Sequence, residues 1–487
     1  MLLTAEHLLN YQRCQRRAFL DQRGDLAFRS PPSDFLRKLL EDSALHRREK
    51  LSDLTWQSPV YAKGDWQAGA AATQALMGQG VERIFQGVLI VPPEEPEDMA
   101  LAGIVDLLEK RPGRSDFGDW VYVPIEVKLG KRPKLEYQIV AAFYTQLLAG
   151  FQGAWPEEAW LVLREAGLYE VDLWQRVPQM QTVLAGLQET LRASEVPEVF
   201  ISRSRCSLCH WYGHCYEVAH ETNHLSLLPG VTPTRYAALQ ELGLTSVESL
   251  ATATPKSLEG IPGFGEMNAH RLIRQARATV LGQAIPYQTI TPAQVPTAPV
   301  ELYFDIEAEP DLELAFLHGV LVVNRVTGEE TFYPLLAEQP DQEAIIWQQF
   351  LDLVHRYPQS PIFHFCAYEV QTAHRLGQRY GTPPPVIEAL VARFVDLHDL
   401  VTNSVTLPVE SYALKLIARW LGFRWRDQGV DGAQAIIWYN RWRETGDHTY
   451  LDAIVRYNED DCRATYVVKD WLVRECLNQT ECQEASG

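Results

Sequence analysis

The chain has 487 residues, which is too long for one ordinary domain and indicates roughly two or three, each with its own core. Hydrophobic residues make up 46% and charged residues 22%, values that are typical of a soluble globular protein. The formal charge of −19, from 44 basic and 63 acidic residues, argues against wholesale electrostatic attraction to nucleic acid. Any such binding must be local or depend on bound divalent cations.

The sequence shows neither a targeting nor a membrane-spanning pattern. Its longest apolar runs are far shorter than a membrane span, and its first twenty residues lack the apolar stretch and cleavage site of a signal peptide. We therefore expect a cytoplasmic protein with no membrane partner. Eight cysteines in such a reducing compartment favour metal binding or reactivity over disulfides.

Composition changes divide the chain into segments. Residues 284–300 are rich in Pro and Thr and carry no charge, which is typical of a linker. Near residue 223, a cysteine-rich segment gives way to short helical patterns punctuated by Gly and Pro. We predict an α/β multidomain chain with a first domain over 1–222, a small all-α domain over 223–283, a linker over 284–300, a second α/β domain over 301–478 and a polar tail over 479–487.

The first domain is predicted to have the order helix, hairpin, helix. Residues 34–50 have helical apolar spacing and carry His46. Residues 101–110 and 120–130 are predicted to be strands joined by a turn-rich segment over 110–119, and residues 136–150 to form a helix.

Two acids and a lysine lie on these predicted strands. The strand period of two places Glu126 and Lys128 on one face, and pairing of the strands can bring Asp106 beside Glu126. Two carboxylates can hold Mg²⁺, while a lysine can orient the attacking water and stabilise negative charge on a phosphate. Phosphodiester hydrolysis needs these parts, although a lone E-x-K on a strand is usually a solvated face.

Four cysteines enclose these acids in the sequence. Cys206, Cys209 and Cys215 have the spacing C-x2-C-x5-C, and Cys14 supplies a remote fourth thiolate. Four thiolates satisfy either a tetrahedral Zn²⁺ site or a 4Fe–4S cluster, and spacing alone does not choose between them. His214 could also complete a local zinc site that does not use Cys14.

These residues resemble the PD-(D/E)XK nuclease superfamily, and the cysteine pattern is similar to that of RecB-like nucleases with an iron–sulfur cluster. The resemblance implies that His46, Asp106 and Glu126 are Mg²⁺ or Mn²⁺ ligands and that Lys128 is catalytic. It also implies a 4Fe–4S cluster on the four cysteines. Relatives usually carry Gln and, four residues later, Tyr on the next helix. Here Gln138 and Tyr144 are six apart.

Residues 238–278 resemble a helix-hairpin-helix domain. Gly263 and Gly265 permit a tight hairpin whose N–H groups, at a helix N-terminus, can hold a phosphate. Arg271, Arg274 and Arg277 follow at intervals of three and suggest a local basic stripe for sequence-independent binding of a nucleic-acid backbone. A protein-docking module or a spacer is the alternative interpretation.

The second α/β domain carries another set of acids. Asp305 and Glu307 share one face of a predicted strand, and Tyr457 and Asp461 share one face of a predicted long helix over about 449–476. Glu369 follows another predicted strand. Asp396, Asp399 and Asp460 are competing candidates for metal ligation.

The order of these motifs resembles the DEDD exonucleases of the RNase H-like fold. The resemblance implies that the carboxylates hold two Mg²⁺ or Mn²⁺ ions and that Tyr457 orients the attacking water. The histidine version of the family would place His where this chain has Arg456, and the acid of the second motif is usually Asp, whereas here it is Glu369.

The sequence as a whole predicts a metal-dependent deoxyribonuclease with two candidate centres, an exonuclease in DNA repair or recombination. DNA is favoured over RNA as the nucleic-acid partner. The sequence contains no G-x4-G-K-[ST] phosphate loop, so any unwinding would require a separate helicase. An RNA 3′-end exonuclease and a catalytically idle nucleic-acid-binding protein are the alternatives.

Overall fold

The structure is a computed structural model that describes residues 2–93, 99–165, 167–259, 261 and 263–474. The chain forms two compact units, Met1–Val218 and Ala219–Gly487. None of the described helices combines the length and apolar character needed to cross a membrane. The predicted tail over 479–487 lies outside the described residues.

The first unit is an α/β fold built around one sheet. Its strands are β1 (Leu2–Thr4), β2 (Arg83–Val91), β3 (Ala100–Ser115), β4 (Gly118–Lys128), β5 (Trp160–Leu163) and β6 (Gly167–Glu170). Its helices are α1 (Ala5–Arg13), α2 (Gln15–Arg23), α3 (Asp34–Lys50), α4 (Trp66–Gly78), α5 (Leu135–Gln152), α6 (Leu173–Arg192), α7 (Arg203–Cys206) and α8 (Tyr212–Glu221), the last of which contains the boundary between the units.

The long strand β3 organises this sheet. It pairs antiparallel with β2 and β4 and parallel with β1, and the sheet continues to β5 and β6. Helix α5 packs against it with a largely apolar surface that buries Phe143 and Leu147, and ends before Gly153, whose φ of 65° needs a glycine. The predicted elements are confirmed, but the hairpin turn is shorter than expected because the strands run to Ser115 and resume at Gly118.

The second unit contains the remaining elements. Its strands are β7 (Ile285–Pro286), β8 (Val300–Glu309), β9 (Leu314–Asn324), β10 (Glu330–Leu336), β11 (Ile362–His364), β12 (Phe394–Asp396) and β13 (Val405–Thr406). Its helices are α9 (Pro233–Glu241), α10 (Val247–Thr252), α11 (Pro255–Leu258), α12 (Glu266–Leu281), α13 (Glu343–Arg356), α14 (Tyr368–Arg379), α15 (Pro384–Val391), α16 (Leu397–Ser404), α17 (Leu414–Trp420), α18 (Gly432–Thr445) and α19 (His448–Leu472).

The main sheet of this unit has the strand order β10-β9-β8-β11-β12. Strands β8, β9 and β10 form an antiparallel meander, and β11 and β12 run parallel to β8. Helix α19 begins after Asp447, whose side chain accepts from the N–H of Thr449, and it packs against β8 and β9. The central strand β8 and the long helix α19, which carry the predicted acids, are therefore in contact.

The predicted linker is a packed part of the second unit. Ile290 and Val295 are buried in the same core as α19, and β7 pairs antiparallel with β13. A Pro- and Thr-rich composition indicated a spacer because it carries no helical or strand period. It did not reveal that these two apolar side chains fill the core.

Candidate nuclease site

Three carboxylates meet between β8 and α19. Asp305 and Glu307 project from the same face of β8, and α19 brings Asp461 against them. One ligand oxygen from each residue lies within 4.8 Å of the others. This arrangement places together three of the predicted metal ligands of the second domain.

Glu369 approaches the same centre from the start of α14, which follows β11. Its charge acts on both Asp305 and Glu307, and its side chain is buried. Cys366, in the connecting loop, has a φ of 82°, a strained conformation of the kind that proteins retain at functional sites. The loop is held by Asp396, which accepts from the N–H of Cys366 at 3.0 Å.

The centre has more negative charge than its surroundings neutralise. Burial and then the neighbouring carboxylates raise the pKa of Asp305 and Glu307 well above their ordinary values. Burial also raises the pKa of Asp461 to about 6, although Lys415 acts in the opposite direction. Glu369 Oε2 lies 3.4 Å from His364 Nδ1. A buried cluster of carboxylates that repel one another suits a divalent cation.

Two residues that the sequence analysis did not identify hold these carboxylates in place. Asn458 donates from Nδ2 to Asp305 Oδ2 at 2.7 Å, and Trp425 donates from Nε1 to Asp461 Oδ1 at 2.7 Å. Asn458 fits only because residue 319 is glycine, since a Cβ there would lie 1.6 Å from Asn458 Oδ1. In the sequence, Asn458 directly follows Tyr457, and this position beside a predicted site residue was the one signal that could have identified it.

Tyr457 and Lys415 complete the surroundings of Asp461. The Tyr457 hydroxyl is hydrogen-bonded to Asp461, and burial together with the nearby acids raises the pKa of Tyr457 far above its ordinary value. The Nζ atom of Lys415 lies 4.5 Å from the centroid of the Tyr457 ring. The predicted aromatic partner of the last acid is therefore beside it, together with a cation that the sequence did not indicate.

The three competing acids have other partners. Asp460 accepts from the backbone N–H of Arg426 and from its Nε, both at 2.8 Å. Asp396 caps α16, and Asp399 accepts from Asn403 Nδ2 at 2.7 Å. These contacts give each acid a structural role.

The first unit brings together a second acidic site. The backbone N–H of Val127 donates to Asp106 Oδ2 at 2.9 Å, and the N–H of Asp106 donates to Glu126 Oε1 at 3.0 Å. Lys128 Nζ donates to Glu126 Oε2. Burial and then the Asp106 charge raise the pKa of Glu126 to about 7, although Lys128 acts in the opposite direction.

His46 is placed differently from the expected ligand set. It is buried on α3. In the described part of the chain, however, the ligand atoms of His46, Asp106 and Glu126 do not all lie within 4.8 Å of one another. The next residue, Arg47, pairs instead through Nε with Asp106 Oδ1 at 2.7 Å. Adjacent helical residues point about 100° apart, and it is Arg47 that contacts this carboxylate. Gln138, carried over from the resemblance, bonds Pro133 and Arg176.

The four cysteines of the first unit lie within electrostatic reach of one another. Burial raises the pKa of Cys206 and Cys215 and raises that of Cys209 to about 11, and in each case the charge of Cys14 adds to the effect. All four are free thiols. Within the described chain, no three of their sulfurs lie within 4.8 Å of one another, whereas Zn–S bonds of about 2.3 Å would place tetrahedral sulfurs about 3.8 Å apart.

Both histidines near the cysteines have packing roles. His210 Nε2 is 2.7 Å from Asp21 Oδ1, which also accepts from Trp211 Nε1 at 2.8 Å. The ring of His214 lies 5.0 Å from that of Phe28. Asp21, which the sequence analysis missed, therefore links α2 to the cysteine segment.

The hairpin of the second unit has the predicted glycines but not the predicted arginine stripe. Gly263 has a φ of 89°, and Gly265 precedes α12 as its N-cap. Arg274 is packed over the ring of Tyr287, and Arg277 donates to two carbonyl groups of the α10 end. Residues three apart turn by about 300°, so an interval of three drifts around a helix. Arg271 is exposed, whereas the prediction of Arg274 as a nucleic-acid ligand is not supported by its position.

Comparisons with known families assign two parts of the second unit. Residues 302–473 match the RNase_H superfamily, and residues 223–278 match the SAM-like helix-hairpin-helix tandem. No curated protein matches the chain. RNase H-like nucleases use divalent metals, and the triad Asp305, Glu307 and Asp461 can bind one. An RNase H-like domain beside a helix-hairpin-helix tandem indicates a nuclease that binds nucleic acid.

Proposed function

We propose that the chain is a metal-dependent exonuclease that hydrolyses phosphodiester bonds of DNA at the acidic centre of the second unit. The convergence of Asp305, Glu307 and Asp461 within 4.8 Å carries this proposal. The match of residues 302–473 to the RNase_H superfamily supports it, because that superfamily contains nucleases. A role in DNA repair or recombination, with a separate helicase where unwinding is needed, follows as part of the proposal.

The residues of this centre fit Mg²⁺ or Mn²⁺. Asp305, Glu307 and Asp461 would hold the ions, with Glu369 as the fourth carboxylate because its charge acts on Asp305 and Glu307. When bound, the ions supply an activated water and stabilise the leaving oxygen.

The protein groups orient the reactants. Tyr457, hydrogen-bonded to Asp461, would position the attacking water. Asn458 and Trp425 fix the carboxylates that they contact, so that little rearrangement is needed during the reaction.

The helix-hairpin-helix tandem supports DNA as the substrate. Its hairpin, with Gly263 and Gly265, would hold a backbone phosphate through N–H groups without reading the bases. Exposed Arg271 can contribute a local positive charge in a chain of formal charge −19. An RNA 3′-end exonuclease is the nearest alternative, since an RNase H-like centre does not itself distinguish the two nucleic acids.

The test uses the full chain with Mn²⁺ on single-stranded DNA and RNA, each labelled at either end. We expect stepwise loss of nucleotides from DNA, prevented by a chelator and by Asp305→Asn. The labelled end that disappears first gives the polarity. If neither nucleic acid is cleaved and Asp305→Asn binds DNA like the wild type, the chain is an idle binding protein and the enzyme proposal is wrong.

A second nuclease activity is proposed for Asp106, Glu126 and Lys128 in the first unit. The observation that favours it is the grouping on β3 and β4 of two buried carboxylates and a lysine that contacts Glu126, the groups of a PD-(D/E)XK site. His46, whose Nε2 lacks a hydrogen-bond partner among the described residues, remains the proposed additional metal ligand. Cleavage that survives Asp305→Asn and disappears with Asp106→Asn would identify this centre.

We also propose that Cys14, Cys206, Cys209 and Cys215 hold a 4Fe–4S cluster, with Zn²⁺ as the alternative. The grouping of these thiols, in which the charge of Cys14 acts on the other three, supports a shared metal centre. Its role would be structural, joining α2 to the segment that contains α7 and α8. Anaerobic purification with iron, sulfide and zinc assays tests this, and a colourless protein with one zinc and no iron would contradict the cluster.

A further inference from the structure

The helix-hairpin-helix segment is joined to the nuclease core by a buried amide. Gln275 on α12 is 3% exposed, and its Nε2 donates to the carbonyl oxygen of Leu407 at 2.7 Å. Its Oε1 accepts from the hydroxyl of Tyr412 at 2.9 Å, and that hydroxyl accepts from the N–H of Leu407 at 3.0 Å. Because both ends of the amide are used, its loss leaves buried groups without partners.

Arg274, the residue that precedes Gln275 on α12, makes a second connection. Arg274 donates from Nε to Thr406 Oγ1 at 2.7 Å, and its guanidinium lies 3.6 Å from the centroid of the Tyr287 ring. Tyr287 follows β7, and its backbone N–H donates to the carbonyl oxygen of Ser404 at 2.9 Å. The arginine is therefore part of a docking interface that includes the β7–β13 pair.

The segment that receives α12 also builds the acidic centre. Leu407 lies in the same buried cluster as Tyr457. Tyr412 precedes α17, which carries Lys415, and the charge of Lys415 acts on Asp461 and Glu307. The segment that receives α12 is therefore part of the nuclease core itself, which fixes α12 relative to the acidic centre.

The hairpin at the other end of α12 is braced as well. Arg235 donates from Nε to the carbonyl oxygen of Gly263 at 2.9 Å and from Nη1 to that of Gly230 at 2.7 Å. Phe264 is 4% exposed beneath it. A continuous series of contacts thus connects the hairpin, through α12, to the docking interface.

We propose that this docking makes the helix-hairpin-helix segment a fixed arm of the nuclease, which holds the strand at a set separation from the acidic centre. The inference rests on the proposed function and adds a substrate requirement: strands that reach both the hairpin and the acidic centre are preferred. A flexibly tethered module would raise affinity without a defined length threshold, because a flexible tether samples many separations.

The test measures kcat and KM of the full chain with Mn²⁺ on single-stranded DNA of increasing length and on a small chromogenic ester of thymidine monophosphate, which reaches the acidic centre alone. For the wild type we expect KM to fall sharply above a threshold length. Gln275→Ala should raise KM for long strands about tenfold, because the hairpin no longer acts at a fixed position. It should leave kcat on the small ester within about twofold of wild type.

Matched variants separate docking from loss of fold. Gln283→Ala changes an exposed glutamine just after α12 and should behave as wild type. Tyr412→Phe removes only the hydroxyl that Gln275 and Leu407 share, and should give a smaller rise in KM. Gly265→Asp places a carboxylate where the hairpin would hold phosphate, and Asp remains a good N-cap for α12. The double variant Gly265→Asp with Gln275→Ala should raise KM for long strands by less than the two single effects combined.

Two results would overturn the inference. One is a wild-type KM that declines smoothly with length and lacks a threshold. The other is a Gln275→Ala variant that folds and has wild-type KM at every length. In both cases the DNA is still cleaved and the proposed function stands. If the wild type cleaves neither the strands nor the small ester, the proposed function is itself wrong and the inference falls with it.

Discussion

The two acidic centres of this chain differ in charge balance. In the first unit, the carboxylates of Asp106 and Glu126 directly contact the cations of Arg47 and Lys128. In the second unit, the carboxylates of Asp305, Glu307, Glu369 and Asp461 repel one another, and Lys415, whose charge acts on Glu307 and Asp461, donates through Nζ to the carbonyl oxygen of Val430. The first centre is nearly neutral without a metal, whereas the second carries excess negative charge. The balance of charge, rather than the number of acids, therefore distinguishes the two centres, and a bound cation would neutralise more repulsion in the second.

Matched amides test this difference most strongly. In an Asp106→Asn background, which removes the proposed activity of the first unit, Glu307→Gln should lower nuclease activity about a thousandfold, because it removes a charged ligand oxygen worth several kcal/mol of transition-state stabilisation. Glu126→Gln should leave the activity of the second centre unchanged. The rate of nucleotide release from labelled DNA with saturating Mn²⁺ measures both.

The same pair should differ in its effect on folding in a chelator. Glu307→Gln relieves repulsion within the acidic cluster and should stabilise the second unit by about 1 kcal/mol. Glu126→Gln relieves the repulsion from Asp106 but also removes the carboxylate that Lys128 contacts, so the two effects should largely cancel and change the stability of the first unit by less than about 0.5 kcal/mol. If Glu126→Gln stabilised the first unit as much as Glu307→Gln stabilises the second, the charge comparison would be wrong.

A second prediction concerns the close approach of β9 to α19. Gly319→Ala would place its Cβ 1.6 Å from Asn458 Oδ1, so the asparagine must move away from Asp305. We expect a loss of about 2–3 kcal/mol in stability and about a hundredfold in activity. Thermal unfolding and DNA cleavage measure the two effects.

Gly432→Ala is the matched control for that substitution. Gly432 opens α18 in the same unit, and a Cβ there would meet no atom within 4 Å. It should be neutral or slightly stabilising. Full activity of Gly319→Ala would show that Asn458 does not position Asp305.

Residue spacing predicted the elements that hold both sites. A strand period of two placed Asp305 with Glu307, and a helical interval of four placed Tyr457 with Asp461. These are local rules, and within one element they suffice. The contact between β8 and α19 was suggested by the resemblance to a known fold and not by spacing.

The missed and misplaced residues depend on packing between distant segments. Trp425 reaches Asp461 across 36 positions, and Gln275 reaches Tyr412 across 137. Arg274 looked like a surface cation because its sequence gives no sign of Tyr287 beside it. His46 and Arg47 are adjacent, and only the packing of α3 decides which of them faces Asp106. Nonlocal contacts of this kind cannot be read from periodicity.

A third prediction separates the two units by their cysteines. Cys206→Ser should destabilise the first unit by roughly 2 kcal/mol, because it removes one proposed ligand of a structural metal centre. The second unit has its own core and should retain its stability and its Asp305-dependent cleavage. Hydrogen exchange of each unit measures this, and equal destabilisation of both units would contradict their independence.

The smallest predicted effect is the dependence of stability on pH in the second centre. Its folded-state pKa for Asp461 is raised to about 6, so between about pH 4 and pH 6 the folded protein binds more protons than the unfolded chain. Stability of the metal-free protein should therefore fall as pH rises through this window, by on the order of 1 kcal/mol from this group. Mn²⁺ should reverse the trend because it binds the deprotonated carboxylates and competes with protons. The difference in Tm between Mn²⁺ and chelator should widen from pH 5 to pH 7.5 and be smaller in Asp461→Asn. If the Tm difference stayed constant with pH, protons and Mn²⁺ would not compete for these carboxylates. The second centre would then have no greater need of a cation than the first.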